Sequence, residues 1–253
     1  MHFGCCTTDP SQLAILANYG YYGVESDFQA IRAMSEEEFE KFRSAVETTG
    51  VVMNGMNCFA PYDTRILSWP DEELDDYFES GIRRAKPLGL EYMVIGSGGS
   101  RKIPEGMTRE EGLRKLVAAL RRFGDIAERD DIDIFFEPLR HFETNVINTV
   151  TEAAELCKAV NHPRVRMVAD FYHMKSVEEP FDHIVSANEY VRHFHVATAD
   201  RRIPLTTDRD EVLAMVEPLK AIEYDGRVVL EGSSEPDFEE VVGEFSKLFV
   251  LFK

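Results

Sequence analysis

The chain has 253 residues, 44% of them hydrophobic, and its 28 basic and 46 acidic side chains leave a formal charge of −18. At this size folding buries roughly three quarters of the unfolded chain's surface, so the core needs neither disulfides nor a structural metal. The strong negative charge argues against a nucleic-acid backbone or an anionic membrane as the main partner.

Short apolar or β-branched runs recur about every 20 to 40 residues, with amphipathic stretches and capping signals between most of them. The expected strands are His2–Thr7, Tyr21–Glu25, Val51–Cys58, Glu91–Gly96, Ile132–Glu137, Arg164–Asp170, Val191–Val196 and Arg227–Glu231. Between them, Ser35-x-x-Glu38, Thr108-x-x-Glu111 and Thr149-x-x-Glu152 read as capping boxes that open helices. Glu36-Glu37-Glu38 reads as a solvated first turn. The clearest helix runs from Thr108 to Arg129, where Leu113, Leu116, Val117, Leu120, Ile126 and Ala127 fall on one stripe. The Gly96-Ser-Gly-Gly-Ser100 run is either a turn needing positive φ or, with Arg101 and Lys102, a cradle for a phosphate or sugar hydroxyl. Trp69, Phe59 and Tyr62 are candidates for pocket lining or packing, and His2, His162 and His183 for surface or packing roles.

No linker or composition break divides the chain, so residues 1–253 are expected to form one domain. Eight strand–helix units predict an α/β fold, a single (β/α)8 TIM barrel, whose site lies at the C-terminal ends of the strands. An open doubly wound sheet is the structural competitor, but no G-x-G-x-x-G follows the first strand. Cys5, Cys6, Cys58 and Cys157 form no C-x-x-C pair and suit a reducing compartment. With no membrane-length apolar run and no leader pattern at Met1-His2-Phe3-Gly4, a cytoplasmic location is expected.

The late strands end on groups that packing alone would not select: Glu137, Asp170, His195 and Glu231. Period-two parity places Ile134 and Phe136, Met167 and Ala169, Phe194 and Val196, and Val228 and Leu230 on one face, and these four polar residues on the other. A lone strand-end carboxylate is most simply a helix N-cap or a loop salt-bridge partner. Four polar groups at matching positions instead form an O/N ligand set for a divalent ion such as Mn²⁺, Co²⁺ or Mg²⁺, without the thiolates of a structural zinc site. His193 shares the parity of His195 and is read as a satisfied core histidine or a supporting one, a layer deeper and roughly 7 Å away.

The run Glu137-Pro-Leu-Arg-His-Phe-Glu-Thr-Asn, continuing through Asn148-Thr-Val-Thr-Glu-Ala to Ala169-Asp-Phe-Tyr-His-Met174 and Glu178-Glu179, resembles the xylose-isomerase-like barrel superfamily, and within it the ketose 3-epimerases. The match is specific over about forty residues, and Phe3-Gly-Cys-Cys-Thr, Ile95–Arg101 and Pro104-Glu-Gly106 extend a weaker likeness over most of the chain. The resemblance implies one divalent metal, Mn²⁺ first, held by Glu137, Asp170, His195 and Glu231, with the two glutamates as catalytic groups exchanging a substrate proton. It implies sugar binding by His173, by Glu143 and by Arg201 or Arg202, and it implies a homodimer. The chain departs from the pattern at Gly232-Ser-Ser, where an aromatic turn is expected.

Chemistry beside a carbonyl needs a base, stabilisation of the enediolate oxygen and, for epimerisation, an acid on the opposite face. Glu137 and Glu231, on the fifth and eighth strands, are placed to supply the first and third. The alternatives are β-elimination of a 3-keto-glycoside, an aldose–ketose or inosose-type isomerisation, and a non-catalytic sugar-binding barrel. Apurinic endonucleases share the fold but need several zinc ions and a basic surface, which a charge of −18 and seven histidines do not suit.

Overall fold

The computed structural model describes residues 1–235 and 237–253. All eight expected strands form: β1 His2–Cys6, β2 Gly23–Asp27, β3 Val52–Asn57, β4 Tyr92–Ile95, β5 Asp133–Phe136, β6 Val165–Asp170, β7 Val191–Val196 and β8 Arg227–Leu230. They pair in parallel in chain order, and β8 returns to β1 with His2 opposite Arg227, so the sheet closes into a barrel. The surrounding helices are α1 Pro10–Asn18, α2 Phe28–Ala33, α3 Glu36–Thr49, α4 Asp71–Ala85, α5 Arg109–Glu128, α6 Val150–Val160, α7 Phe171–Ser176, α8 His183–Ser186, α9 Arg209–Ala221 and α10 Phe238–Ser246.

β2 starts two residues later than the apolar pattern suggests. Tyr21 belongs to the turn after α1, its amide bonded to Leu16 O and its hydroxyl to Val242 O, while Asp27 ends the strand and caps α2 at Ala30 N. Of the three expected capping boxes, Ser35 and Glu38 form the full reciprocal pair. Thr108 and Thr149 each accept from the expected amide. Glu152, however, reaches past Thr149 to the amide of Asn148 at 2.6 Å and also binds Arg109.

The alternation along each strand decides what lies inside the barrel. Ile134, Phe136, Met167, Ala169, Phe194, Val196, Val228 and Leu230 join the apolar layer that includes the buried helix faces. Residues of the opposite parity, Tyr92, Val94, Phe135 and Val168, form a separate buried cluster that fills the barrel. Gly55 on β3 makes room for it, since a Cβ there would lie 2.2 Å from the Tyr92 ring. Arg227 pairs with Glu91 near the start of β8 and lies over the Tyr92 ring. Register shifts occur between Val24 and Glu25 on β2 and between Met167 and Val168 on β6. Both precede an inward acidic group, and bulges of this kind commonly re-aim side chains beside functional sites. Among the described residues, no helix is long and apolar enough to cross a membrane.

Candidate metal centre

Strands β5, β6, β7 and β8 bring Glu137, Asp170, His195 and Glu231 together, with one ligand atom from each lying within 4.8 Å of all the others. His195 Nδ1 is 3.1 Å from Glu137 Oε1 and 3.3 Å from Glu231 Oε2. Asp170 divides its roles: Oδ1 caps α7 by accepting from the amides of Tyr172 (2.7 Å) and His173 (3.4 Å). Its Oδ2 is buried without a hydrogen-bond partner among the described residues, 3.6 Å from His173 Nε2. Asn57, at the end of β3, donates to Glu231 Oε1 at 3.3 Å.

The electrostatics of the cluster would suit a cation. Burial and the Glu231 charge raise Glu137, and burial together with Glu137 and Glu231 raises Asp170 well above the carboxylate range. Burial also opposes ionisation of Glu231, but His195 and Arg201 outweigh it and hold that carboxyl low. Burial lowers His195, yet Glu25, Glu231 and Glu137 together raise it well above an ordinary histidine. The carboxylates thus favour a proton on the imidazole, and a divalent cation among them would relieve the same repulsion. Oxygen and imidazole donors, unpartnered carboxylate oxygens at Asp170 and Glu231, and no thiolate in the set all fit a hard or borderline ion.

A cleft of about 250 Å³ opens over this cluster, lined by Glu137, Glu143, His173, Arg201 and Glu231 together with Gln29, Asn57, Cys58 and Tyr62. Larger hollows among the outer helices, at Leu113 and Leu156 and at Ala33 and Phe42, present no comparable chemistry. His173 is buried, its pKa pushed down to about 3 by desolvation, and its Nδ1 faces the amide of Arg140 at 3.4 Å. Glu143 accepts from Arg140 Nε at 2.8 Å and from Arg201 Nη1 at 3.4 Å.

The two candidate arginines separate. Arg201 has a positive φ of 59° and reaches Glu231 at 3.7 Å, whereas Arg202 makes a two-pronged pair with Asp208 at 2.7 and 2.8 Å and does not line the cleft. The Gly232-Ser-Ser departure underlies this, because the amide of Ser233 bonds to Arg201 O and Ser233 O accepts from Ile203 N. A Cβ at Gly232 would lie 2.7 Å from the Arg202 backbone. Arg201→Ala is therefore expected to lower kcat/KM about tenfold to a hundredfold with little change in Tm, the worth of a charged hydrogen bond. Arg202→Ala should instead cost about 1 kcal/mol of stability. Steady-state kinetics and thermal melts on both variants check the division, and it fails if the two behave alike.

The glycine turn corrects its expected basis. Ser97, not a glycine, has the positive φ (46°), and the glycines serve close approach. Cβ atoms at positions 96, 98 and 99 would meet Glu137 Oε2 at 2.3 Å, the Glu143 carbonyl at 2.9 Å and the Tyr62 ring at 2.3 Å. Arg101 is no part of a cradle. It is wholly buried, donates to Ile95 O at 3.2 Å and lies 4.4 Å from the Phe136 ring centroid, its pKa lowered by burial to about 9. Lys102 donates to the Tyr62 hydroxyl at 3.1 Å. Tyr62 lines the cleft, while Phe59 is buried among Phe28, Tyr77 and Phe123, and Trp69 packs edge-on against Tyr77. His162 and His183 pair with Asp125 and Glu179, away from the cleft. All four cysteines are free thiols.

Sequence reasoning missed Glu25. It is fully buried and joins His193 and His195 in a second cluster beneath the first, with His193 Nε2 3.0 Å from its Oε2 and His195 Nε2 3.0 Å from its Oε1. His193 thus lies one layer deeper, as its parity predicts, its ring centroid 4.9 Å from that of His195. The signal for Glu25 was present, since an acidic residue ends the expected second strand as well.

The family model described as xylose isomerase-like TIM barrel matches residues 13–247. The 3-dehydro-D-guloside 4-epimerase of Escherichia coli is 32% identical over 228 residues, covering 84% of this chain and 82% of that protein. The D-psicose 3-epimerase of Ruminiclostridium cellulolyticum is 31% identical over 118 residues, so the aligned stretch spans 46% of this chain and only 40% of that relative. The solved D-psicose 3-epimerase of Clostridium cellulolyticum H10 shares the fold, with a TM-score of 0.84 over 100% of this chain and 98% of that one at 18% identity.

Proposed function

The chain belongs to the xylose isomerase-like TIM barrel family, and from that premise we propose that it is a divalent-metal-dependent sugar epimerase acting at the carbon next to a keto group. The observation that carries the reading is the cluster of Glu137, Asp170, His195 and Glu231, of which Glu137 and Glu231 line the cleft. These four residues would hold the ion, Mn²⁺ as the first choice. A bound divalent ion would act as a Lewis acid, stabilising negative charge on the substrate's carbonyl oxygen.

Glu137 and Glu231, immediately after strands β5 and β8, supply the proton chemistry. One carboxylate takes the proton from the carbon, and the electron pair of the broken C–H bond moves into a C–C double bond as the carbonyl becomes an enediolate. The other carboxyl, in its acid form, returns a proton to the opposite face, and the carbonyl is restored. His173, Glu143 and Arg201 bind and orient the hydroxyls. The Arg201 guanidinium, 3.4 Å from Glu143 and 3.7 Å from Glu231, is placed to offset developing negative charge. Arg202 takes no part, and the free thiols suit a cytoplasmic location.

The leading substrate is a free ketose with exchange at C3. A second reading is a 3-dehydro-glycoside with exchange at C4, favoured by the 32% identity over 84% of the chain to an epimerase named for such a sugar. Metal-stripped protein and protein reloaded with Mn²⁺ are incubated in D₂O with D-psicose and with methyl 3-dehydro-D-glucoside, and deuterium uptake is followed by NMR and mass spectrometry. Metal-dependent uptake at the carbon beside the ketone, with the epimer appearing, is expected. The exchanging sugar separates the two readings. Loss of the aglycone would move the assignment to elimination, and no exchange in either sugar with metal bound would overturn the epimerase proposal.

A further inference from the structure

We infer that Glu25, one layer beneath the cleft cluster, is a positioning residue that holds His195 in the one tautomer able to serve the metal centre. This rests on the metal reading above. His195 stands between two acidic groups of different kinds: Nδ1 lies 3.1 and 3.3 Å from Glu137 and Glu231, and Nε2 lies 3.0 Å from Glu25 Oε1, an ion-pair distance without aligned hydrogen-bond geometry. A neutral imidazole has one N–H and one lone pair, so which nitrogen carries the proton decides whether it can be a ligand. A lone pair on Nδ1, turned towards two carboxylates, is favourable only with a cation between them. That arrangement requires the proton on Nε2, where the negative charge of Glu25, 3.0 Å away, stabilises it.

Glu25 is itself held in place. It is fully buried, Oε2 meets His193 Nε2 at 3.0 Å, and Oε1 lies 3.7 Å from the Cys6 thiol. His193 is fixed in turn by the barrel filling, with its ring 4.7 Å from Tyr92 and 5.4 Å from Phe135. A charged carboxylate enclosed in this way is strongly unfavourable unless it is partnered, and its described partners include both the histidine of the cleft and the histidine below it. The register shift just before Glu25 accompanies its placement beside Gly55 on β3, whose missing side chain also admits Tyr92. Core packing alone needs no carboxylate here, because the neighbouring layer is filled by Tyr92, Val94, Phe135 and Val168.

The test uses metal-stripped full-length protein, with Mn²⁺ alone titrated in and free Mn²⁺ read by electron paramagnetic resonance. Glu25→Gln keeps the shape and an acceptor oxygen but removes the charge. It is expected to weaken Mn²⁺ binding about 10- to 100-fold with an unchanged circular-dichroism spectrum. Equal affinity in the two proteins would overturn the inference. Wild-type protein carrying ¹⁵N-labelled histidine and loaded with Mg²⁺ provides a second readout, independent of how the variant folds. The His195 proton is expected on Nε2, and finding it on Nδ1 would overturn the inference outright. Failure of the wild type to bind Mn²⁺ at all is a distinct result, and it would overturn the metal reading together with this inference.

Discussion

Glu231→Gln and Glu137→Gln are each expected to stop epimerisation, lowering its rate by about 10²- to 10⁴-fold, the range of a general acid–base contribution. If each carboxylate serves one face of the reacting carbon, each variant keeps half of the chemistry. The remaining glutamate still removes and returns the proton on its own side, so solvent deuterium enters one epimer and not the other. The two variants should therefore show opposite preferences when D₂O exchange is followed separately from each member of an epimer pair. Gln keeps the size and one oxygen donor of Glu, and metal content is measured alongside, so loss of the ion is told apart from loss of the base. Epimerisation near the wild-type rate in either variant, or the same exchange preference in both, would rule out a two-base mechanism with these residues. Cys58 and Gln29 line the same cleft but lie outside the four-residue cluster. Conservative replacement of either should leave this pattern of exchange intact.

The barrel and the four clustered side chains were legible because both depend on strand periodicity. Alternation puts Phe136, Ala169, Phe194 and Leu230 against the helices, and the following or adjacent polar residue then has to face inward. Glu25 ends the expected second strand as the other four acidic or imidazole groups end theirs, but its place beneath the cluster depends on the register shift between Val24 and Glu25, which the local pattern does not show. Arg201 and Arg202 could not be told apart along the chain. What separates them is the pairing of Arg202 with Ser233 across two loops, the positive φ of Arg201 and the partnership of Arg202 with Asp208. Phe59 and Trp69 looked like Tyr62 in sequence, and only the positions of Phe28, Tyr77 and Phe123 turn them into packing residues. Strand ends carried the local information, while loops took their geometry from contacts distant in the chain.

Gly96→Ala is expected to separate function from stability more sharply than any substitution of a clustered carboxylate. The φ of Gly96 is not positive, so alanine suits its backbone. The added Cβ would lie 2.3 Å from Glu137 Oε2 but 3.5 Å and 3.9 Å from Glu137 Cδ and Cβ. Only the end of a flexible side chain has to move, and the lower chain entropy of alanine in the unfolded state offsets part of the cost, so stability should change by no more than about 1 kcal/mol. Activity has no such latitude, because the displaced carboxylate is the one whose other oxygen sits 3.1 Å from His195 Nδ1. A misplacement of about 1 Å at a reacting group costs about 10²-fold, and kcat/KM in Gly96→Ala should fall by at least that much. Gly99→Ala makes a contrasting variant: its Cβ would meet the ring of Tyr62, an exposed residue of the cleft lining, at 2.3 Å while leaving Glu137 where it is, so any loss there belongs to Tyr62 and should be smaller. Thermal melts and deuterium exchange on the two variants decide the matter. Near-wild-type turnover in Gly96→Ala would mean that the reaction does not need the Glu137 carboxylate in the position the fold gives it.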